Sequence, residues 1–257
     1  MTDEVFPRTR QELDDLIVLD QVDSTNTWLR SSEQPGWVAV ASWNQTAGRG
    51  RAGRTWLSPA GQSLAFSLRL PALPLDSVGW IPLLAGTVLV ETLQEMGLGG
   101  VGIKWPNDVQ VGEAKLAGIL TERLLSGDSV VGLGLNVFGS PQDLEGRDAT
   151  SLLESGLDAA ALVDPLLAAW CRGMKQAHSL VEAGERDAIS SRVSGVMTTL
   201  GREVRVESPE GQVRTGRALS LHANGGLLVA WADGTGESVL LAGDVWHLRA
   251  VDAASPD

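Results

Sequence analysis

The chain has 257 residues, 43% hydrophobic and 20% charged, with a formal net charge of −12. That length supports a full core in one large domain or a large and a small one, and the composition is that of an ordinary globular protein. The acidic balance argues against a general nucleic-acid binder, no apolar run approaches the roughly 18 residues that span a bilayer, and the single cysteine, Cys171, excludes an internal disulfide framework.

The acidic start, Met1 to Val5, has no apolar core behind it and does not read as a signal peptide, so a cytoplasmic home is expected. Residues 1–14 are polar and expected to fray. Leu16-Ile17-Val18-Leu19 reads as a first strand. Asp23-Ser24-Thr25-Asn26 then precedes a short helix through Trp28 and Leu29, because a Ser/Thr/Asn cluster before an apolar residue is an N-cap signal. Trp37 to Ala41 is a strand. The loop from Asn44 to Gly61 is rich in Gly and Arg and poor in apolar residues, and loops of that length inside compact domains are usually functional or disordered. Leu64, Phe66, Leu68 and Leu70 alternate with Ala65, Ser67 and Arg69, the pattern of a strand with one buried face, which Pro71 and Pro74 end.

Ser77 to Met96 has helical length and is closed by Gly97. Strands follow at Val101–Lys104, Val109–Val111, Leu116–Arg123 and, rich in glycine, Ser129–Val137. Two helices fill Asp158 to about Val193, with Pro165 tolerable only in a first turn or at a kink. After Gly201 short apolar runs alternate with Pro209-Glu210-Gly211, Asn224-Gly225-Gly226 and Asp233-Gly234-Thr235-Gly236. Runs and turns of this kind predict a small antiparallel barrel of about 50 residues. A boundary near Leu200 divides the chain into domains 1–198 and 199–257.

Positive charge is dense in one place only. Arg49, Arg51 and Arg54 lie close together, with no acid from Asn44 to Leu75. Of the 20 basic residues, 17 are Arg and three are Lys, namely Lys104, Lys115 and Lys175. A lysine retained in such a chain suggests a task for a compact, flexible point charge, although chance would also place two lysines eleven residues apart. Cys171, beside Trp170, reads as a small core residue.

Four segments carry chemistry. In Gly48-Arg49-Gly50-Arg51-Ala52-Gly53-Arg54-Thr55-Trp56 the glycines let backbone approach a ligand and donate N–H groups. The arginines offer forks for phosphate or carboxylate, and Trp56 offers a flat face. A solvated linker or single-strand binder is the bland alternative, and a Walker loop is excluded because no Gly-Lys-Ser/Thr ending follows. Lys104-Trp105-Pro106-Asn107-Asp108, followed by Lys115-Leu116-Ala117-Gly118-Ile119-Leu120, reads as a hairpin turned at Pro106. Its carboxylate and amide could hold a metal ion or order a lysine, or simply form an Asx turn. Asp23-Ser24-Thr25-Asn26 alone is no more than a helix cap. Gly132-Leu133-Gly134-Leu135-Asn136 is a strand that exposes backbone on one face.

In this order the segments resemble the biotin–protein ligase family: a Ser-Thr-Asn turn, a Gly-Arg-Gly-Arg-X-Gly-Arg-X-Trp loop, Lys-Trp-Pro-Asn-Asp, Lys-Leu-X-Gly-Ile-Leu and Gly-X-Gly-X-Asn. The likeness runs from about Leu16 to Val137, with a weaker echo from Ala242 to Arg249. It implies an α+β fold with a mixed, mainly antiparallel central sheet and flanking helices, like a class II synthetase, and a small C-terminal SH3-like β-barrel. The implied activity joins biotin to ATP as biotinyl-5′-AMP, then passes biotin to one lysine of a biotin carboxyl carrier protein domain. Mg²⁺ would accompany the triphosphate, with no metal site of the protein's own.

Residue roles follow from the same resemblance. Lys115 bridges the biotin carboxylate and the α-phosphate, and Arg49 and Arg51 hold the adenylate. Ser24, Thr25, Asn26 and Gln45, with backbone from Gly48 through Arg49 and Gly50 to Arg51, hold the biotin ring. Arg51, Arg54, Trp56, Lys104, Asn107, Asn136 and Arg249 serve the nucleotide. Asp108 or a phosphate oxygen takes the carrier lysine's proton. Neither DNA nor membrane is an expected partner, and the enzyme is expected as a monomer or weak homodimer. Thr55 stands where the family often has Lys, and Asp244 where it has Glu. The first strand starts near residue 16, so the helix-turn-helix of repressor-type members is not expected. A lipoate–protein ligase is the nearest alternative, and a non-catalytic nucleotide- or RNA-binding module the next.

Overall fold

The structure, a computed structural model, describes residues 5–32, 34–56, 59–139, 148–207, 212–241 and 244–247. Seven strands form one sheet: β1 (Asp15–Leu19), β2 (Val38–Ser42), β3 (Ser63–Leu70), β4 (Val101–Lys104), β5 (Asp108–Val111), β6 (Ala114–Arg123) and β7 (Ser129–Asn136). Their order is β1-β2-β3-β7-β6-β5-β4. The β1–β2 pair is parallel and every other pair antiparallel, so the sheet is mixed and mainly antiparallel, as expected.

Helices α3 (Ile81–Glu95), α4 (Ala159–Glu182) and α5 (Arg186–Val196) lie on one side. There Leu64, Phe66 and Leu68 pack with Leu84, Val88, Leu167 and Trp170 in the main core. Helix α2 (Thr25–Ser31) covers part of the other side, where Leu29 packs with Val38, Val40 and Val130. This second layer changes the reading of β3. Its alternation holds, but all eight residues are buried, because the polar face is covered, in part by α2, rather than open to water. Arg69 survives there by donating to Asp128 at 3.0 Å and to the carbonyls of Ser32 and Gln34.

Three other expectations are corrected. Residues 7–11 form a helix, α1 (Pro7–Gln11), rather than a frayed tail. Buried Thr9 donates its N–H and hydroxyl to the Asp164 carboxylate at 3.0 and 2.8 Å, an anchor 155 residues away that local sequence cannot reveal. The 77–96 segment is a 3₁₀ turn, Leu75–Trp80, followed by α3, since Pro82 fits only the first turn of an α-helix. Gly97, at φ 92°, ends α3, and Leu98 N–H reaches back to the Leu93 carbonyl as in a Schellman cap. Pro165 lies inside α4, past its first turn. Burial of Leu166, Leu167 and Trp170 holds the helix together there, as tertiary packing usually does. The 75–95 segment has a mean hydropathy of 1.2, enough by length and composition for a bilayer helix, but 67% of that window is buried inside the protein.

The last five strands, β8 (Glu203–Glu207), β9 (Val213–Leu221), β10 (Leu227–Trp231), β11 (Glu237–Leu240) and β12 (Asp244–His247), form an antiparallel sheet ordered β11-β10-β9-β8-β12. Two tryptophans, one in the 3₁₀ turn before α3 and one in the turn after β4, bond to its β9–β10 turn. Trp80 Nε1 donates to the Ala223 carbonyl at 2.9 Å, and Trp105 Nε1 to the Gly225 carbonyl at 3.2 Å.

Candidate active site

The face of the sheet opposite α3 and α4 is laid out by strand register. Ala65, Gly134 and Gly118 stand side by side across β3, β7 and β6, and Ser67, Gly132 and Leu120 form the next row. The glycines make room for two side chains. A Cβ on Gly134 would lie 2.6 Å from Trp56 Cε2, and one on Gly132 would lie 2.3 Å from Asn26 Oδ1. The spacing that reads as exposed backbone is therefore a floor on which Trp56 and Asn26 rest.

The Gly-Arg loop is a small hairpin rather than structureless chain. Arg49 and Thr55 form a bridge, Gly50 N–H donates to Arg54 O at 2.8 Å, and Trp56 N–H to Gly48 O at 3.0 Å. A 3₁₀ turn spans Arg51–Gly53. Gly48 does not line the cavity; it is wedged between Trp56 O and Gln45, where a Cβ would come within 2.4 and 2.6 Å. Two arginines are tied to the sheet. Arg49 Nη1 pairs with Glu122 at 3.1 Å, and Arg51 Nη1 donates to Asn107 Oδ1 at 3.2 Å.

Below the loop is a cavity of about 380 Å³. Five cationic side chains line it: Arg49, Arg51, Arg54, Lys104 and Lys115. Among the described lining residues Asp108 is the one carboxylate. In a chain of net −12 this is a local positive well, suited to an anion. Lys115 Nζ sits 2.8 Å from Asp108 Oδ1 and 5.5 Å from the centre of the Trp56 ring, so a carboxylate and an aromatic face hold the ammonium in place. Trp56 Nε1 is buried with no hydrogen-bond partner among the described residues.

Ser24, Thr25, Asn26 and Gln45 stand together at one end. Ser24 caps α2, as expected, and Thr25 N–H donates to Gln45 Oε1 at 2.9 Å. Gly50, Trp56, Asn107 and Asn136 also line the cavity. Asn136 donates its amide to the carbonyls of Lys115 and Thr150, and Ser63 donates to its oxygen. The fold thus gathers every expected side chain except Gly48 and Arg249, the latter outside the described residues. Thr55 lines the cavity and is exposed.

Sequence reasoning missed Ser67 and Glu122. Ser67 is fully buried and bonds both Thr25 and Asn26, at 2.8 and 2.7 Å. Its place opposite Gly132 is set by the register of β3 and β7, which local sequence does not carry. It also missed the 148–150 segment, which pairs with Lys115 through Lys115 N–H to Asp148 O and Thr150 N–H to Lys115 O, both 2.9 Å. Val245 reaches the cavity from the second sheet.

Residues 18–136 match the profile of the biotin/lipoate A/B protein ligase family. The chain is 34% identical to a biotin–[acetyl-CoA-carboxylase] ligase of Mycobacterium tuberculosis, over 91% of this chain and 89% of the relative. It superposes on a biotin protein ligase of Aquifex aeolicus in complex with biotin and ATP with a TM-score of 0.72 and 30% identity, covering 93% of this chain and 100% of the other. For a Leishmania major biotin protein ligase bound to biotinyl-5-AMP the TM-score is 0.58 and the identity 25%, over 92% and 99% of the two chains. The extent of these matches decides the family: the chain belongs to the biotin/lipoate A/B protein ligase family, as a biotin–protein ligase.

Proposed function

We propose that the chain activates biotin with ATP to biotinyl-5′-AMP, releasing pyrophosphate, and transfers the biotinyl group to a lysine of a carrier protein, releasing AMP. The observation that carries this is Lys115, held between Asp108 and Trp56 in a cavity whose described lining has five cations and one carboxylate. In the first step a carboxylate oxygen attacks the α-phosphate, so two anions must meet. Fixed positive charge offsets their repulsion and stabilises the charge that builds in the transition state. Lys115 would bridge the two. Arg51, Arg54 and Lys104, with Asn107 and Asn136, would serve the nucleotide, and Trp56 its base. Arg49, tied to Glu122 beside Asn26, sides with the biotin end. There Ser24, Thr25, Gln45 and the backbone from Arg49 to Arg51 would meet the neutral ureido ring.

Transfer needs the carrier lysine to lose a proton, since its unperturbed pKa is about 10.4. Asp108 or a phosphate oxygen would take it. Mg²⁺ would come with the nucleotide. Asp108 is the lining carboxylate that could touch it, and no group of three or more His, Cys, Asp or Glu able to hold a metal is found among the described residues. An ion of this kind takes most of its oxygens from phosphates and water.

The acceptor would be a biotin carboxyl carrier protein domain, in the cytoplasm, with the enzyme acting as a monomer or weak homodimer. The catalytic domain would cover 1–198 and an SH3-like barrel 199–257; the order of the last five strands supports the second. The Gly-Arg loop and the Lys-Trp-Pro-Asn-Asp strand favour biotin over lipoate. Purified protein with Mg-ATP, a carrier domain and either acid tests the choice. Pyrophosphate release with biotin and not lipoate supports it; lipoate alone working would overturn it.

A further inference from the structure

We infer that Glu122 is a positioning residue that builds the biotin end of the site and lowers its positive charge. The inference rests on the ligase reading above. Glu122 lies on the site face of β6, and its side chain is 17% exposed. Its carboxylate takes donors from three places. Arg30 of α2 and Arg49 of the loop share Oε1 at 2.7 and 3.1 Å, and Asn26 Nδ2 reaches Oε2 at 2.9 Å.

Asn26 shows what the bracket does. Its other amide hydrogen goes to Leu120 O at 3.2 Å, and its oxygen accepts from Ser67 at 2.7 Å. Both donors are therefore committed within the protein, so Asn26 fixes the Ser24–Thr25 turn rather than offering its amide to a ligand. Arg49 fixes the other wall, because its pair with Glu122 pins the backbone of the Gly-Arg loop. The same carboxylate offsets part of the positive charge of Arg49 and Arg30, which share it, at the end where the neutral ureido ring would lie. Arg51, Arg54, Lys104 and Lys115 are the other cations among the described lining residues.

Loss of Glu122 should then harm biotin binding alone. The test is steady-state pyrophosphate release by the full chain, with thermal melts. E122Q is expected to raise the KM for biotin about tenfold or more, as loss of a charge-assisted bond does, and to leave the KM for ATP within about twofold. Arg49→Gln, at a side chain 47% exposed, removes the pair from the loop side and serves if E122Q fails to fold. The double variant should raise the biotin KM no further than E122Q alone, since Arg49 acts on this end through Glu122. Arg30→Gln, which leaves Arg49 and Asn26 on the carboxylate, should change it less than about threefold. Equal rises in both KM values, an unchanged biotin KM, or multiplying effects in the double variant would overturn the inference. A wild-type chain that releases no pyrophosphate with biotin would instead overturn the ligase reading, and this inference with it.

Discussion

Gly134→Ala probes the glycine floor directly. The added methyl would sit 2.6, 2.7 and 3.0 Å from three carbons of the Trp56 ring. Carbon contacts settle at about 3.5–4.0 Å, so the ring must rise by about 1 Å. It cannot swing away freely, because Trp56 N–H is bonded to Gly48 O and Lys115 lies over the ring. For the fold, the alanine gains about 0.5–1 kcal/mol in strand preference against about 1–3 kcal/mol of overpacking, a modest net loss. For the site, the displaced face forfeits stacking of about 1–3 kcal/mol per base, a roughly 5- to 150-fold rise in the KM for ATP. Gly99→Ala is the control, since nothing lies within 4 Å of its new methyl. The assay is biotin-dependent pyrophosphate release at varied ATP, with melting curves for both variants. A Gly134→Ala enzyme with wild-type KM for ATP would refute the reasoning that Trp56 must rest on this floor.

Lys115→Met should lower the adenylation rate by about 10²–10³-fold, as loss of a transition-state donor does, while transfer from supplied biotinyl-5′-AMP falls much less; equal losses in both steps would contradict the bridging role. Gly225→Ala forces a side chain into φ 81°, with its methyl 2.7 Å from Gly79 O, and should cost about 2–4 kcal/mol, seen as a melting point lower by roughly 4–12 °C; an unchanged melt would mean the second sheet docks loosely. Burial pushes the Cys171 thiol well above its usual pKa, so a thiol reagent at mild alkaline pH should label it only after denaturant is added; fast labelling of the native protein would contradict its place in the core.

Much of the site was legible because its chemistry demands particular residue types. Arginine forks, a glycine-rich turn, a rare lysine and an N-cap serine each leave a local mark. What sits on what was not legible. Gly132-Leu133-Gly134 announces close approach but not that Asn26 and Trp56 are the groups approaching. Glu122 and Ser67 read as ordinary polar positions of strands, and gain meaning only when register sets Ser67 beside Gly132 and Leu120. The strands were found from periodicity, yet β3 beside β7 is a long-range pairing that no window of sequence contains. Helix α1 escaped for the same reason, since it depends on Asp164. Pro82 and Pro165 show opposite sides of one rule: the first marks a helix start, and the second is overridden by packing of the residues after it.

The proposed adenylation of biotin depends on Lys115 and its neighbours. The most direct measurement is pyrophosphate release by the purified chain with Mg-ATP, with and without biotin, followed by mass analysis of an added carrier domain. Release that requires biotin, and a carrier heavier by one biotinyl group on lysine, is the predicted result. Release indifferent to biotin, or none at all, would contradict it.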